Sequence, residues 1–219
     1  MPQQILIIGL GQFGMSLART LSEKGVEVLA VDPQKNLVEE ASAFVTEALV
    51  MDATDEVELA RLHPEKRNSV VCAIGDDSKE SSIICTLLLR QMGAPFIVAR
   101  ANDKMHHRIL ELVGAHQIVN PEQEFGKRFA TRLIYRHVIA DTPIGEDLQL
   151  TEIHIQPAMV GKSLIDLALP KRFGIMVAAI RRGSPSKIIQ PSPGEPLQAD
   201  DKLMIVSSEA AIAKLIKGV

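Results

Sequence analysis

Four consecutive apolar residues, Ile5-Leu6-Ile7-Ile8, run directly into Gly9-Leu10-Gly11-Gln12-Phe13-Gly14, and no other junction constrains this chain as tightly. The apolar run reads as a buried strand, and Gln12–Lys24 after it reads as a helix. A second apolar run, Val28-Leu29-Ala30-Val31, closes on Asp32, at the separation of about twenty residues seen in the dinucleotide fingerprint. Each glycine has a separate task. Gly9 permits the turn, Gly11 lets the backbone approach a pyrophosphate, and Gly14 lets the helix lie close to the sheet. The helix N-terminus offers N–H groups and partial positive charge to the phosphates. Asp32 can accept hydrogen bonds from ribose hydroxyls, and its carboxylate would repel a 2′-phosphate, which favours NAD over NADP.

Composition narrows the remaining possibilities. A chain of 219 residues that is 46% hydrophobic can bury one large core or two smaller ones. With aromatics at 3%, no Trp and a net charge of −3, base-stacking platforms and a basic footprint are both missing, so nucleic acid is not an expected partner. No apolar segment has the length of a membrane span. The chain enters a strand at once, so no signal peptide is expected. Cys72 and Cys85 form no CxxC pair and lie in apolar surroundings, as reduced buried thiols of a cytoplasmic protein do.

Through the first two-thirds, β-branched runs alternate with helical stretches. Strands are expected at Gln4–Ile8, Glu27–Val31, Ala48–Met51, Val70–Ile74, Phe96–Ala99 and Gln117–Val119. Helices are expected near Gln12–Lys24, Gln34–Ser42, Glu56–Leu62, Ser78–Met92 and Lys104–Val113. That succession predicts an α/β fold of Rossmann type, a parallel sheet covered on both faces, with ligands at the carboxyl ends of its strands. A further crossover helix is expected from about Glu122 to Ala140. It carries Phe125, Phe129 and Leu133 on one stripe and Arg128, Arg132 and Arg136 on the next. The arginines suit a solvated face or a contact with an acidic partner or second subunit. The domain expected on this reading is 1–140.

Asp141–Gln149, with Pro143 and Gly145, reads as a linker of residues 141–149. Residues 150–219 then change grammar. Strands are expected at Leu150–Ile155, Gly174–Ile180, Lys187–Gln190 and Leu203–Ser207, with a short helix at Ser163–Leu169 and a closing helix at Glu209–Lys217. This predicts a small α+β C-terminal lobe.

Beyond the glycine loop and Asp32, several segments recur in a recognisable order: Met51-Asp52-Ala53-Thr54, Ala73-Ile74-Gly75-Asp76, Val98-Ala99-Arg100-Ala101-Asn102, Gly114-Ala115 and Asn120-Pro121-Glu122. Together they resemble the KTN/RCK regulatory domain of potassium channels and transporters, the TrkA-N type. Gly161-Lys162-Ser163-Leu164, Gly174–Arg181 and Leu197-Gln198-Ala199-Asp200-Asp201-Lys202-Leu203 resemble its TrkA-C companion. The resemblance covers nearly the whole chain and looks most like a Ktr- or Trk-type gating subunit.

What the resemblance implies is specific. The loop of Gly9, Gly11, Gln12, Phe13 and Gly14 would carry phosphates, and Asp32 the ribose. Asp52, Ala53, Thr54, Ile74, Gly75 and Asp76 would line the nucleotide, with Arg100 and Glu122 near the phosphates. Glu122 would also be the candidate for holding a divalent cation between subunits. The ligands implied are NAD(H) or ATP/ADP, and some related second lobes bind cyclic di-AMP. Such subunits form homodimers that assemble into an octameric ring under an integral-membrane potassium channel or transporter. This one would therefore be cytoplasmic and peripheral to the inner face of the plasma membrane. Nucleotide exchange would alter the ring and so the gate. One position departs from the pattern: Gln12 stands where many Ktr-type members have arginine. Losing a charge-assisted phosphate contact weakens binding by about 1.5–3 kcal/mol, so weak ATP-over-ADP discrimination is expected here. Arg100 could supply a substitute charge.

Each residue also has a plainer reading. Asp32 could cap the helix near Gln34, and Asp52 or Thr54 could cap the next one. Asp76 or Asp77 could cap the helix at Ser78, and Glu122 could simply favour a helix N-terminus. The adjacent His106 and His107 face different sides of a helix and make no i, i+4 metal pair. Lys171, Arg172, Arg181 and Arg182 form a basic group in the second lobe, either solvated or facing an anionic second messenger such as cyclic di-AMP. No GxSxG, HExxH or P-loop lysine is present. The function expected is ligand sensing without catalysis, the alternative being a small NAD(P)-dependent oxidoreductase.

Overall fold

The computed structural model describes residues 3–75, 78–145, 147–183, 185 and 187–218. The chain divides into two compact units, Met1–Gln123 and Glu124–Val219. In the first, β1 (Gln4–Ile8), β2 (Glu27–Asp32), β3 (Glu47–Val50), β4 (Ser69–Cys72), β5 (Ile97–Arg100) and β6 (Gln117–Val119) form one sheet. All pairings are parallel and the order is β3-β2-β1-β4-β5-β6. The near-continuous apolar strands reflect burial on both faces. Alternation sends Leu6, Ile8, Val70 and Cys72 into one core layer, and Ile5, Ile7, Val71 and Ala73 into the other. The first layer packs on α3 (Glu56–Ala60), α4 (Lys79–Gln91) and α5 (Lys104–Val113) through Leu59, Leu89 and Leu110. The second packs on α1 (Gln12–Glu23) and α2 (Lys35–Ser42) through Ala18, Val38 and Ala41.

Register places the site. Ile8 lies opposite both Val31 and Cys72, so the carboxyl ends of β1, β2 and β4 finish level. Gly9, Asp32 and Ala73 therefore meet at one rim, where strand order reverses direction around β1 and β4.

The second unit holds an antiparallel sheet of order β10-β9-β11-β8-β7. Its strands are β7 (Val138–Pro143), β8 (Gln149–His154), β9 (Met176–Arg182), β10 (Lys187–Ile189) and β11 (Lys202–Ser207). Ile153, Met159, Leu167, Ile175, Leu203, Ile205 and Ile212 lie at its core, the last from α9 (Glu209–Gly218).

Three expectations need correction. The crossover helix α6 is Pro121–Ile134, six residues shorter than its expected end at Ala140. The described residues on either side of the segment expected as a linker, 141–149, are instead paired as a β-hairpin, with the Ile144 N–H donating to the Leu148 carbonyl. Asp141 pairs with Thr151, and Pro143 with Gln149. Pro143 and Gly145 were turn signals rather than linker signals, and β7 is an edge strand, where a residue without an N–H is tolerated. The short helix expected at Ser163–Leu169 is split into α7 (Leu164–Leu167) and α8 (Leu169–Phe173). Pro170 has no N–H to continue the first helix, and Ala168 between them adopts a left-handed φ of 45°. An L-residue there is strained by about 1–2 kcal/mol, partly offset in glycine by its chain entropy. Ala168→Gly is thus expected to stabilise the protein by about 1 kcal/mol, read as a higher urea midpoint with an unchanged slope.

Candidate functional site

A cavity of about 350 Å³ opens at the rim where β1, β2, β3 and β4 end. Gly9 and Gly11 come from the loop after β1, and Asp32 from β2. Asp52, Ala53 and Thr54 follow β3, and Ile74 and Gly75 follow β4. Gly9 adopts φ 95°, and a Cβ there would stand 3.0 Å from the Ile74 nitrogen. A Cβ on Gly14 would stand 1.9 Å from the Gly9 carbonyl oxygen, so α1 reaches the sheet only because this residue is glycine. Gly11 is the N-cap of α1, and a Cβ there would meet nothing within 4 Å. No side chain caps α1. Its first N–H groups are therefore left for solvent or an anion.

Asp32 is 6% exposed and ties three elements together. Its Oδ2 accepts the Leu10 N–H at 2.7 Å and its Oδ1 accepts the Gln34 N–H at 2.8 Å. The capping role and the loop-side role are thus combined in one carboxylate, which still has lone pairs for a ribose. Asp52 Oδ1 accepts from the Thr54 N–H at 2.9 Å and its hydroxyl at 2.7 Å. Those two bonds, the backbone one first, hold the Asp52 carboxyl below its ordinary range. Neither Asp52 nor Thr54 caps α3; Asp55 does, accepting from the Val57 and Glu58 N–H groups.

Other expected site residues lie around this cavity rather than in its wall. Gln12 is exposed at the start of α1, and Phe13 packs on the α1–α2 core layer. Arg100 Nη2 donates to Glu122 Oε1 at 2.5 Å, while its Nη1 would lie 3.6 Å from a Cβ on Gly75. Arg100 Nε is buried with no hydrogen-bond partner among the described residues. Glu122 is in the first turn of α6, which Asn120 caps by accepting the Gln123 N–H. Asp76, and with it Asp77, lies outside the described residues. Sequence reasoning missed Gln34, Leu37, Ser78 and Ser81, all of which line the cavity. Ser78 and Ser81 open the helix after β4, so the rule that ligands gather at strand carboxyl ends was the signal for them.

The basic group of the second lobe is largely engaged. Arg181 Nε donates to Glu152 at 2.7 Å. Arg172 donates to the carbonyls of Leu167 and Gly218. Arg182 Nε and Nη2 donate to Asp201 Oδ1 and Oδ2 at 2.7 and 2.8 Å, and Nη1 donates to Glu195. Asp201 is 1% exposed and also accepts the Gln198 N–H at 2.8 Å. Burial pushes its carboxyl up, but Arg182 and the Gln198 N–H outweigh that and leave it lowered. A larger recess of about 910 Å³ in this unit sets Lys127 and Arg128 among Glu124, Asp141, Asp147 and Glu209. Its mixed signs suit a phosphate less well than the glycine-lined cavity does.

The TrkA-N domain family model matches residues 5–121, and the TrkA-C domain model matches residues 150–217. The chain is 34% identical over 215 residues to Ktr system potassium uptake protein A of Vibrio alginolyticus, covering 98% of this chain and 97% of that one. It is 33% identical to Ktr system potassium uptake protein C of Bacillus subtilis (strain 168), over 100% and 98% of the two chains. Among solved structures it resembles the GsuK channel bound to NAD, with TM-score 0.64 and 19% identity. That match covers 99% of this chain and 40% of the channel chain, and at this identity it speaks for the fold. The NAD(P)-binding domain of an exopolyphosphatase-related protein from Archaeoglobus fulgidus matches with TM-score 0.52 and 26% identity, over 59% of this chain and 96% of that one.

Proposed function

Because the chain belongs to the TrkA-N/TrkA-C family of potassium-uptake proteins, we propose that it is a nucleotide-sensing regulatory subunit. It would gate an integral-membrane potassium channel or transporter through a ligand-dependent change of shape. The observation that carries this reading is the glycine-lined cavity against an uncapped helix N-terminus. The cradle fits an adenine nucleotide: Gly9 and Gly14 allow close backbone approach, α1 presents N–H groups to phosphates, and Asp32 faces the same cavity for a ribose. NAD(H) and ATP/ADP are the ligands proposed. A ligand moves such a protein only by its difference in affinity between two shapes. Arg100 is the cation nearest Gly75, and a terminal phosphate would have to draw it from Glu122.

The acids of the cavity wall support binding rather than proton transfer. Asp32 is occupied by two backbone N–H groups, and Asp52 by Thr54. No helix among the described residues is long and apolar enough to cross a membrane. Helix α6 buries no described residue and leaves Phe125, Phe129 and Leu133 exposed, with the two rings stacked at 5.7 Å. That stripe supports a homodimer, and through it the ring of the resemblance. A divalent cation at Glu122 does not fit one chain by itself. Arg100 holds the carboxylate, and no cluster of three acidic, His or Cys ligands occurs among the described residues. Cyclic di-AMP at the second lobe remains part of the proposal, tested by direct titration.

Calorimetry of the purified protein with NADH, NAD, ATP and ADP tests the central reading, and heat with none of them would refute it. Native mass spectrometry would show subunit number and any retained nucleotide together. Incubation with NADH and a panel of aldehydes and ketones addresses the oxidoreductase alternative, for which turnover above background would count. Asp32→Ala is expected to weaken NADH binding by about 2 kcal/mol. It should also lower stability by about 1–3 kcal/mol, because it strands the Leu10 and Gln34 N–H groups. Unchanged affinity in a folded variant would make Asp32 a structural tie alone.

A further inference from the structure

The wall of the glycine-lined cavity holds two acids, Asp32 and Asp52, and no Lys, Arg or His among the described residues. Helix N–H groups and hydroxyls are all it offers to the charge of a phosphate. Arg100 stands at its margin. Ala99 pairs with Cys72, so Arg100 and Ala73, each one residue on, finish level, and Ala73 is part of the wall. Contacts run on from the glycine loop toward it. A Cβ on Gly9 would stand 3.0 Å from the Ile74 nitrogen, and one on Gly75 would stand 3.6 Å from Arg100 Nη1.

The Arg100 guanidinium is held, but not fully. Nη2 donates to Glu122 Oε1 at 2.5 Å, while Nε, on the same edge of the fork, is buried with no hydrogen-bond partner among the described residues. Arg182 in the second unit shows the complete form: Nε and Nη2 both donate to Asp201, whose side chain is fully enclosed. Glu122 differs in a second respect, since 55% of its side chain is exposed against 16% for Arg100. Water can therefore take up the carboxylate at little cost. The guanidinium stays half-buried and must find another anion.

We propose that Glu122 is a built-in competitor for Arg100, displaced by the terminal phosphate of ADP or ATP and left in place by NADH. This rests on the nucleotide reading of the cavity and names what selects among its ligands. In both kinds of ligand, phosphates meet the α1 N-terminus first. Beyond them a nucleoside di- or triphosphate ends in a charged group, whereas a dinucleotide continues into an uncharged ribose. Closed on Glu122, Arg100 forms a neutral pair that a ribose can adjoin. Opened, it is a cation with free N–H groups for a phosphate oxygen to accept from. The exchange trades one charge-assisted hydrogen bond for another, so Glu122 sets how much of the phosphate contact is realised as affinity.

Opposite signs follow for the two members of the pair. Removing Glu122 frees Arg100 and raises ADP and ATP affinity; removing Arg100 lowers it. A Glu122 that helped to hold phosphate, for instance through a bridging divalent cation, would give a loss in the first case as well. Because the competition runs through a single guanidinium, the effect of Glu122 disappears once Arg100 is gone.

Calorimetry in EDTA, with NADH, ADP and ATP titrated into the full chain, tests this. Chelation keeps a divalent cation from bridging carboxylate and phosphate. Glu122→Ala is expected to bind ADP and ATP about fivefold more tightly than wild type. Arg100→Gln should bind them about tenfold more weakly, and the double variant should match Arg100→Gln. NADH affinity should stay within about twofold throughout, which also shows that each variant is folded. Equal or weaker ADP binding by Glu122→Ala would overturn the proposal. So would wild-type ADP affinity in Arg100→Gln, or NADH affinity that shifts in parallel with ADP. Glu122 is more than half exposed, so its variant decides the matter even if Arg100→Gln fails to fold. If neither wild type nor Glu122→Ala bound any of the three ligands, the nucleotide reading itself would be refuted.

Discussion

Gly11→Val is expected to abolish binding of NADH and ADP while the protein still folds. Gly11 has φ −61° and ψ −175°, extended backbone open to any residue, and a Cβ there meets nothing within 4 Å. The cost to the fold is confined to a poorer N-cap for α1, about 1 kcal/mol at most. The added side chain instead occupies the space through which phosphates approach the helix N-terminus. Gly14→Ala should behave in the opposite manner. Its methyl would stand 1.9 Å from the Gly9 carbonyl oxygen, and backbone cannot yield as the end of a flexible side chain can. A loss of about 4 kcal/mol or more is expected, together with misplacement of the loop. Calorimetry and urea unfolding on both variants separate the two outcomes. A Gly11→Val protein that binds NADH normally would remove the glycine loop from the site.

Asp201→Ala is expected to cost about 2–4 kcal/mol, since it removes two of the Arg182 hydrogen bonds, leaving that guanidinium with Glu195 alone, and leaves the Gln198 N–H without its acceptor. Asp201→Asn keeps the size and one acceptor oxygen, so it should cost less, and the difference measures the charge. The pH dependence has a definite sign. The Asp201 carboxyl is lowered in the folded protein, so its contribution is fully present above about pH 4, the ordinary carboxylate value. It is lost as pH falls through the lowered folded value. Asp103, which Lys79 first and the His106 N–H second bring down to about 2, follows the same sign at the surface. Urea midpoints of wild type and Asp201→Ala between pH 7 and acid should therefore converge as pH falls. Curves that stay parallel would show that the pair contributes nothing through its charge.

Much of the first unit was legible because a parallel strand buried on both faces has a distinctive composition, and because glycine and Asp32 stood at positions where few other residues serve. The second unit was less legible. Pro143 and Gly145 mark a break in regular structure, but whether the break joins two domains or two strands depends on what pairs across it. Val138–Pro143 became a strand by bonding to Gln149–His154. The basic group there was visible as charge, yet its meaning lay in Glu152, Asp201 and Glu195, which the chain brings back from distant positions.

The sequence by itself determined the α/β class, the order of strands and helices in the first unit, and the glycine loop with its spaced acid. These are local properties, set by side-chain period, by the φ values glycine permits and by the short distance between a strand and the next helix. Tertiary structure alone decided that Asp32 holds Leu10 and Gln34 at once, that Arg100 is held by Glu122 beside Gly75, and that Cys72 and Cys85 share one buried seam. Each of these joins residues brought together by strand register and helix packing, and such contacts exist only after the chain has closed on itself.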